Sequence, residues 1–123
     1  MWIVAKIKIQ EINIFKKKLI EKFGKEINFY SPKITYSKYS KNKFKKFDKF
    51  ILENYIFCFH KNFNDIGIIN RIQFIRGVQY ILNGHKQNQN EIKEFINYCK
   101  SFEDKNGYLI PAFFKTAVAL FLR

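Results

Sequence analysis

The first patterned stretch of the chain is residues 2–9, in which apolar residues occupy every second position. Ile3, Ala5, Ile7 and Ile9 share one face of this stretch, and the other face becomes basic toward its end. Because the side chains of a strand alternate between two faces, the pattern predicts a half-buried strand.

A helix is predicted to follow this strand, because apolar residues then recur at intervals of three and four. The apolar positions are Ile12, Phe15, Leu19 and Phe23. That spacing places them on one stripe of a helix, which would face the core. Gly24 is predicted to end the helix, because glycine adopts the left-handed conformation that is common at helix C-termini.

Residues 27–36 form a second extended segment in this interpretation. Pro32 donates no backbone hydrogen bond, which indicates an edge strand or a bulge at that point. The lysine-rich residues 37–46 are predicted to form an exposed, mobile hairpin tip. Residues 47–52 are predicted to return as a strand.

Residues 55–60 are apolar on both sides. Tyr55, Phe57 and Phe59 share one face of the predicted strand. A strand of this kind is normally central in its sheet and covered on both faces. One face could instead be open to a partner.

The second half of the chain begins with a short predicted helix. Asn64 or Asp65 is suited to cap it, and Ile66, Ile69 and Ile72 would point inward.

A strand is predicted over residues 78–82, and a loop over residues 84–90 follows it. Asn88 with Glu91 three positions later resembles a capping box at the start of another helix. The apolar stripe of this helix consists of Ile92, Phe95, Ile96, Cys99 and Phe102.

Together these elements predict an α+β fold in which an antiparallel four-stranded sheet is flanked by about three helices. We expect residues 1–107 to form one domain and residues 108–123 to form an apolar tail. The tail could pack on the domain or on a partner. Five of its residues could form one helical stripe: Phe113, Phe114, Ala117, Val118 and Phe121.

The charge of the chain points to association with a polyanion. The 123 residues carry a formal net charge of +13, nearly all of it from lysine. Such a charge favours binding to nucleic acid or to an acidic protein surface. The same lysine content could instead be a compositional bias without functional meaning.

The cysteines and the absence of export signals bear on location. Cys58 and Cys99 lie in apolar runs, so we expect small buried hydrophobic residues in a reducing compartment, with a disulfide as the lesser alternative. The sequence contains no signal peptide and no apolar run of about 20 residues, the length that spans a bilayer. A cytoplasmic protein is therefore expected, with no membrane association.

Candidate catalytic groups are sparse. His60 and His85 have no carboxylate or cysteine at metal-ligand spacing, and His60 is expected to be an ordinary surface histidine. No phosphate-binding glycine loop or metalloprotease motif is present. We therefore expect neither catalytic residues nor a bound metal or cofactor.

Four sequence pieces, taken in order, resemble a known family. They are Trp2-Ile3-Val4-Ala5, Phe29-Tyr30-Ser31-Pro32, Asn54-Tyr55 leading into the apolar strand, and Arg76-Gly77-Val78. Over about residues 1–100 they resemble the N-terminal domain of the NusG transcription-elongation factors, and more closely the RfaH-type paralogues. The resemblance implies an α/β sandwich, and we expect no KOW domain after it.

The resemblance also implies a binding site for RNA polymerase. Leu52, Tyr55 and Phe57, together with Val78 and Ile81, would bind the clamp helices of its largest subunit. The alternative from the residues alone is that these side chains are ordinary core.

A contact with the polymerase gate loop is implied near residues 68–70, where the chain carries Ile68-Ile69-Asn70 in place of a small polar motif. Outside the complex the protein is expected to be a monomer.

Lys8, Lys18 and Arg76 match family positions that face the non-template DNA strand. Contacts of this kind are mainly to phosphates. The alternative is a solvated lysine face. The expected function is therefore an elongation or antitermination factor that suppresses pausing. The other hypothesis is a stand-alone α+β module that binds single-stranded RNA or DNA.

Overall fold

The structure is a computed structural model that describes residues 1–115. Short 3-10 turns lie at Ile9–Glu11, Gly24–Glu26 and Lys61–Asn64, and residues 111–115 are helical. The strands and longer helices are β1 (Trp2–Ile7), α1 (Ile12–Phe23), β2 (Asn28–Tyr30), β3 (Lys33–Ser40), β4 (Lys43–Phe50), β5 (Tyr55–Phe59), α2 (Ile66–Ile72), β6 (Val78–Ile81) and α3 (Gln89–Ser101).

The main sheet has four strands in the order β2-β5-β1-β6, and each neighbouring pair is antiparallel. Val4 lies opposite Phe57, and Ala5 lies opposite Ile56 on one side and Ile81 on the other. The prediction that the doubly apolar strand β5 is central is confirmed, as is the α+β fold class with its four-stranded sheet.

Helices cover both faces of this sheet. Phe15 and Leu19 of α1 pack with Ile3, Ala5 and Ile7 of β1 on one face, where α2 also lies. Ile96 of α3 packs with Val4 and Phe57 on the opposite face. Because successive residues of β1 enter different clusters, this strand connects the two halves of the core.

Helix α1 forms where the apolar stripe predicted it, with Phe15 and Leu19 fully buried. Gly24 follows it with a φ of 75°, a left-handed conformation that costs glycine little. The predicted helix and its terminating glycine are therefore confirmed.

Two predicted core positions are exposed instead. Ile9 is 64% exposed, because β1 ends at Ile7 and the chain turns into a 3-10 helix. Ile66 is 59% exposed, whereas Ile69 and Ile72 of the same helix are buried. Each step of three residues in an α-helix falls about 60° short of a full turn. Ile66, Ile69 and Ile72 are spaced only by three, so they cannot all lie on the buried face.

The segment around Pro32 differs from the prediction. Residues 27–36 do not form one strand; the edge strand β2 ends before Pro32, and β3 starts after it. Residues 37–46 form the exposed end of a hairpin, as predicted, but most of them are strand, because β3 and β4 pair in full. Lys41 and Asn42 alone form the turn, with φ of 52° and 62°, as a two-residue hairpin turn requires.

The start of α3 is held by Gln89 rather than by a capping box. Asn88 occupies the predicted N-cap position, but its side chain makes no capping hydrogen bond, so the capping-box prediction is wrong. The Gln89 amide donates to the backbone oxygens of Trp2 (2.6 Å) and His85 (2.8 Å), and the backbone N–H of Trp2 donates back to it. This side chain fixes the N-terminus of α3 against the end of β1.

The described part of the apolar tail packs on the domain. Leu109 and Phe113 form a buried cluster with Cys99 of α3, whereas Phe114 is 42% exposed. Tyr108 forms a bridge with Lys33 at the base of β3. The other predicted stripe positions, Ala117, Val118 and Phe121, lie outside the described residues. Within residues 1–115, no helix combines the length and the apolarity that a membrane span requires.

Candidate functional site

An open apolar groove lies between the main sheet and the N-terminal half of α3. Its volume is about 410 Å³. Its lining is almost wholly apolar and is formed by Tyr55, Glu91 and six apolar residues, which are Val4, Leu52, Phe57, Leu82, Ile92 and Phe95. We call this surface the α3 groove.

Phe57 is the rigid part of the groove. It is 6% exposed, and its ring lies 5.8 Å from that of Phe95 and 6.4 Å from that of Tyr30. Trp2 meets it edge-on with ring centroids 6.5 Å apart. Aromatic neighbours hold Phe57 on several sides. Its ring is therefore part of the core and also part of the groove lining. Leu52 is only half-buried.

A polar cluster lies next to Tyr55. The hydroxyls of Tyr55 and Tyr80 are 3.0 Å apart and form a hydrogen bond. Lys6 Nζ lies 5.6 Å from the centre of the Tyr55 ring and 5.5 Å from that of the Tyr80 ring. The hydrogen bond to Tyr80 raises the pKa of Tyr55 above its ordinary value. The cluster therefore offers two hydroxyls and a cation beside an apolar groove.

The structure separates the predicted polymerase-binding residues into two groups. Leu52, Tyr55 and Phe57 line the α3 groove. Val78 and Ile81 instead pack into the cluster on the other face of the sheet, under α1 and α2. A register shift between β1 and β6 places both of them on that face, even though they are three residues apart.

The predicted nucleic-acid-binding residues lie near one another. Lys18 and Arg76 line one shallow pocket of about 480 Å³. The backbone N–H of Lys8 donates to the backbone oxygen of Gly77 at 2.8 Å, which places it next to Arg76 in space. Arg76 Nε lies 3.3 Å from Glu11 Oε1, an exposed pair of the kind that contributes less than about 1 kcal/mol.

Phe74 is a surface feature that the sequence reasoning did not single out. Its side chain is 89% exposed, and it lines the same pocket as Lys18, Lys22 and Arg76. Phe74 lies in the turn that follows α2, two residues after the buried Ile72, and residues two apart in a helical turn point in different directions. That offset was the one available signal that Phe74 points away from the core.

The groove also contains residues that sequence reasoning assigned to other roles. Ile92 and Phe95 were expected to be ordinary core positions of α3, and Val4 belonged to the face of β1 without an assigned partner. Leu82 had no assigned role. Helical and strand periodicity marks a residue as inward-facing, but it does not say whether a neighbouring element covers it completely.

The two histidines are buried, so the expectation of a surface position for His60 is wrong. His60 is 3% exposed and packs against the rings of Phe23 and Phe63. Its Nδ1 accepts a hydrogen bond from the N–H of Asn62. Burial lowers the pKa of His85 below its usual value. Both histidines are therefore packed into the fold.

Cys58 and Cys99 are free and buried. Burial raises the pKa of the Cys99 thiol to about 11 and raises that of Cys58 as well. Thiols of this kind are unreactive near neutral pH. Among residues 1–115, no three His, Cys, Asp or Glu side chains are grouped so as to hold a metal ion.

The chain matches no protein-family model and no curated protein sequence.

Proposed function

We propose that this chain is a NusG-like elongation or antitermination factor whose α3 groove binds the clamp helices of RNA polymerase. The observation that supports this most is the open groove with Tyr55 and Phe57 in its lining. An apolar groove beside a rigid sheet is a common receptor for the apolar face of a helix.

The groove has the properties of an anchor site. Phe57 is held by its aromatic neighbours before any partner arrives, so little side-chain entropy is lost on binding. Tyr55 offers a ring and a hydroxyl at small entropy cost, which is typical of binding hot spots. Lys6 beside it supplies a positive charge for a polar or acidic group on the partner helix.

The basic residues give the second part of the proposal. Lys8, Lys18 and Arg76 contact phosphates of the non-template strand while the groove holds the clamp. Contacts of this type position a protein with little reading of sequence. The protein would hold the clamp closed and suppress pausing, and it would carry out no chemistry of its own.

The test is retention of purified core RNA polymerase from the same organism, at moderate salt with nuclease present. The wild-type protein should retain the polymerase, and Tyr55→Ala should abolish retention. The matched control is Tyr39→Ala, which removes a tyrosine that is 60% exposed and lies outside the groove. Normal retention by Tyr55→Ala would refute the assignment of the groove.

A stand-alone module for single-stranded RNA or DNA is the second candidate. The exposed ring of Phe74 favours it, because its pocket contains three cations, Lys18, Lys22 and Arg76, against one carboxylate, Glu21, and bases stack on aromatic rings in basic surroundings. Under this alternative, Phe74→Ala lowers the affinity for a free single strand and Tyr55→Ala does not. Polymerase retention lost with Tyr55→Ala and kept with Phe74→Ala would favour the first candidate.

A further inference from the structure

The β3–β4 hairpin extends from the domain without a core of its own. Each residue from position 35 to position 50 is exposed, so both faces of the ribbon meet solvent. Backbone pairing continues without interruption from Lys33 opposite Phe50 to Ser40 opposite Lys43. Eight paired residues at about 3.3 Å each give a ribbon about 26 Å long.

The hairpin is strongly basic. It contains seven lysines and one acidic residue, Asp48. Asp48 accepts a hydrogen bond of 2.6 Å from the Tyr108 hydroxyl and lies 3.9 Å from Lys33 Nζ. The single negative charge is therefore paired at the base of the hairpin, and the part toward the turn is left with cations alone.

The positive charges occur on both faces of the ribbon. Residues opposite each other in an antiparallel pair share a face, so the register assigns each paired lysine to one side. Lys33 and Lys46 lie on the face of Tyr39 and Phe44, and Lys41 lies in the turn. The lysines on the face of Tyr36 and Phe47 are Lys38, Lys43, Lys45 and Lys49.

Aromatic pairs stiffen the ribbon in place of a core. The rings of Tyr36 and Phe47 are stacked, with centroids 5.6 Å apart and planes at 28°. Tyr39 and Phe44 form a second pair at 4.9 Å on the other face. These cross-strand contacts hold the strands together in water.

We propose that this hairpin binds duplex DNA by lying in the major groove. The major groove is about 12 Å wide and admits a two-stranded ribbon. Its two walls are phosphate backbones, which matches a ribbon that has lysines on both faces. The major groove of duplex RNA is too narrow to admit side chains, so the geometry favours DNA.

A single strand fits the hairpin less well. Binding of that kind needs open aromatic faces along one basic groove. Tyr36 and Phe47 are stacked on each other, and the small pocket on the hairpin, of about 250 Å³, has Phe47 as its one aromatic residue beside Lys38, Ser40, Lys41 and Lys45. The proposal goes beyond the polymerase contact, because the surface is distinct from the α3 groove and requires no polymerase.

The experiment measures binding of the whole protein to a labelled duplex DNA by fluorescence anisotropy at several salt concentrations. The hairpin variant is Lys38→Gln/Lys43→Gln/Lys45→Gln. The control variant is Lys86→Gln/Lys93→Gln/Lys105→Gln, which makes the same change in charge at exposed residues elsewhere. Duplex RNA and the separated DNA strand are the competing ligands.

The hairpin variant should bind duplex DNA at least about tenfold more weakly, and each lost phosphate contact should reduce the slope of log affinity against log salt by about 0.9. The control variant should keep most of the affinity for duplex DNA and most of the salt dependence. Because the substituted side chains lie outside the core, thermal unfolding of the two variants should match. Tyr55→Ala should still bind DNA, which separates this test from that of polymerase binding.

Two results would overturn the proposal. One is an equal loss of affinity in the hairpin and control variants, which would show that net charge alone attracts DNA. The other is binding of the single strand or of duplex RNA as tight as that of duplex DNA.

Discussion

Tyr55 and Tyr80 come from strands that do not touch each other, yet their hydroxyls lie 3.0 Å apart. Both residues lie opposite Lys6, Tyr55 from one side of β1 and Tyr80 from the other. The two rings therefore meet over the lysine side chain. This arrangement places a polar cluster beside the α3 groove before any partner is present.

The hydrogen bond between the two tyrosines should be visible in a titration. It raises the pKa of Tyr55, because the protonated hydroxyl takes part in the bond. In Tyr80→Phe, the pKa of Tyr55 should fall toward its ordinary value of 10.0. NMR of ring-labelled tyrosine over a pH series measures this directly. An unchanged titration in Tyr80→Phe would mean that the hydroxyls do not bond in solution.

Phe57 and Tyr55 should differ sharply in their effect on stability. Phe57→Ala removes a ring that is 6% exposed and should lower the free energy of unfolding by about 3 to 5 kcal/mol. Tyr55→Ala removes a half-buried side chain and should cost no more than about 1 kcal/mol. Urea unfolding of the two variants checks this. Similar losses in both would show that Tyr55 belongs to the core and is a poor probe of binding.

Leu109 tests how the chain after residue 107 relates to the domain. Leu109 is 6% exposed and packs with Cys99, so Leu109→Ala should cost about 2 to 5 kcal/mol. The neighbouring Ile110 is 39% exposed, and Ile110→Ala should change stability by less than about 0.5 kcal/mol. Thermal unfolding of Leu109→Ala, Ile110→Ala and the wild type measures the difference. Equal stability of Leu109→Ala and the wild type would mean that the domain does not need this segment.

His85 should make the protein less stable in acid. Burial lowers its pKa, so the unfolded chain binds a proton more readily than the folded one. The free energy of unfolding should therefore decrease as the pH falls through the ordinary value of 6.5. Lys86 and the N-terminal amine act in the same direction.

The measurement is urea unfolding at pH about 7.5 and about 5.5. His85→Gln should lose less stability between these conditions than the wild type. An identical loss in the variant would assign the acid sensitivity to other groups.

The described elements show which parts of the fold could be predicted from the sequence. Helix α1 and Gly24 were predicted correctly, because a stripe spaced by three and four and a terminating glycine are local signals. The central position of β5 was also predictable, because a strand that is apolar on both faces needs cover on both. The extent of β3 and β4 could not be predicted, because their pairing depends on a turn at Lys41 and Asn42 and on cross-strand contacts.

The sequence by itself determined which side chains avoid water, and hence the periodic elements and the class of fold. The tertiary structure decided how completely each apolar face is covered. Helix α3 buries Ile96 but leaves Ile92 and Phe95 half-exposed, and the shift between β1 and β6 places Val78 and Ile81 on the far face. Periodicity is a property of neighbouring residues, whereas coverage depends on distances between elements far apart in the chain. The incomplete cover that opens the α3 groove therefore could not be predicted from periodicity alone.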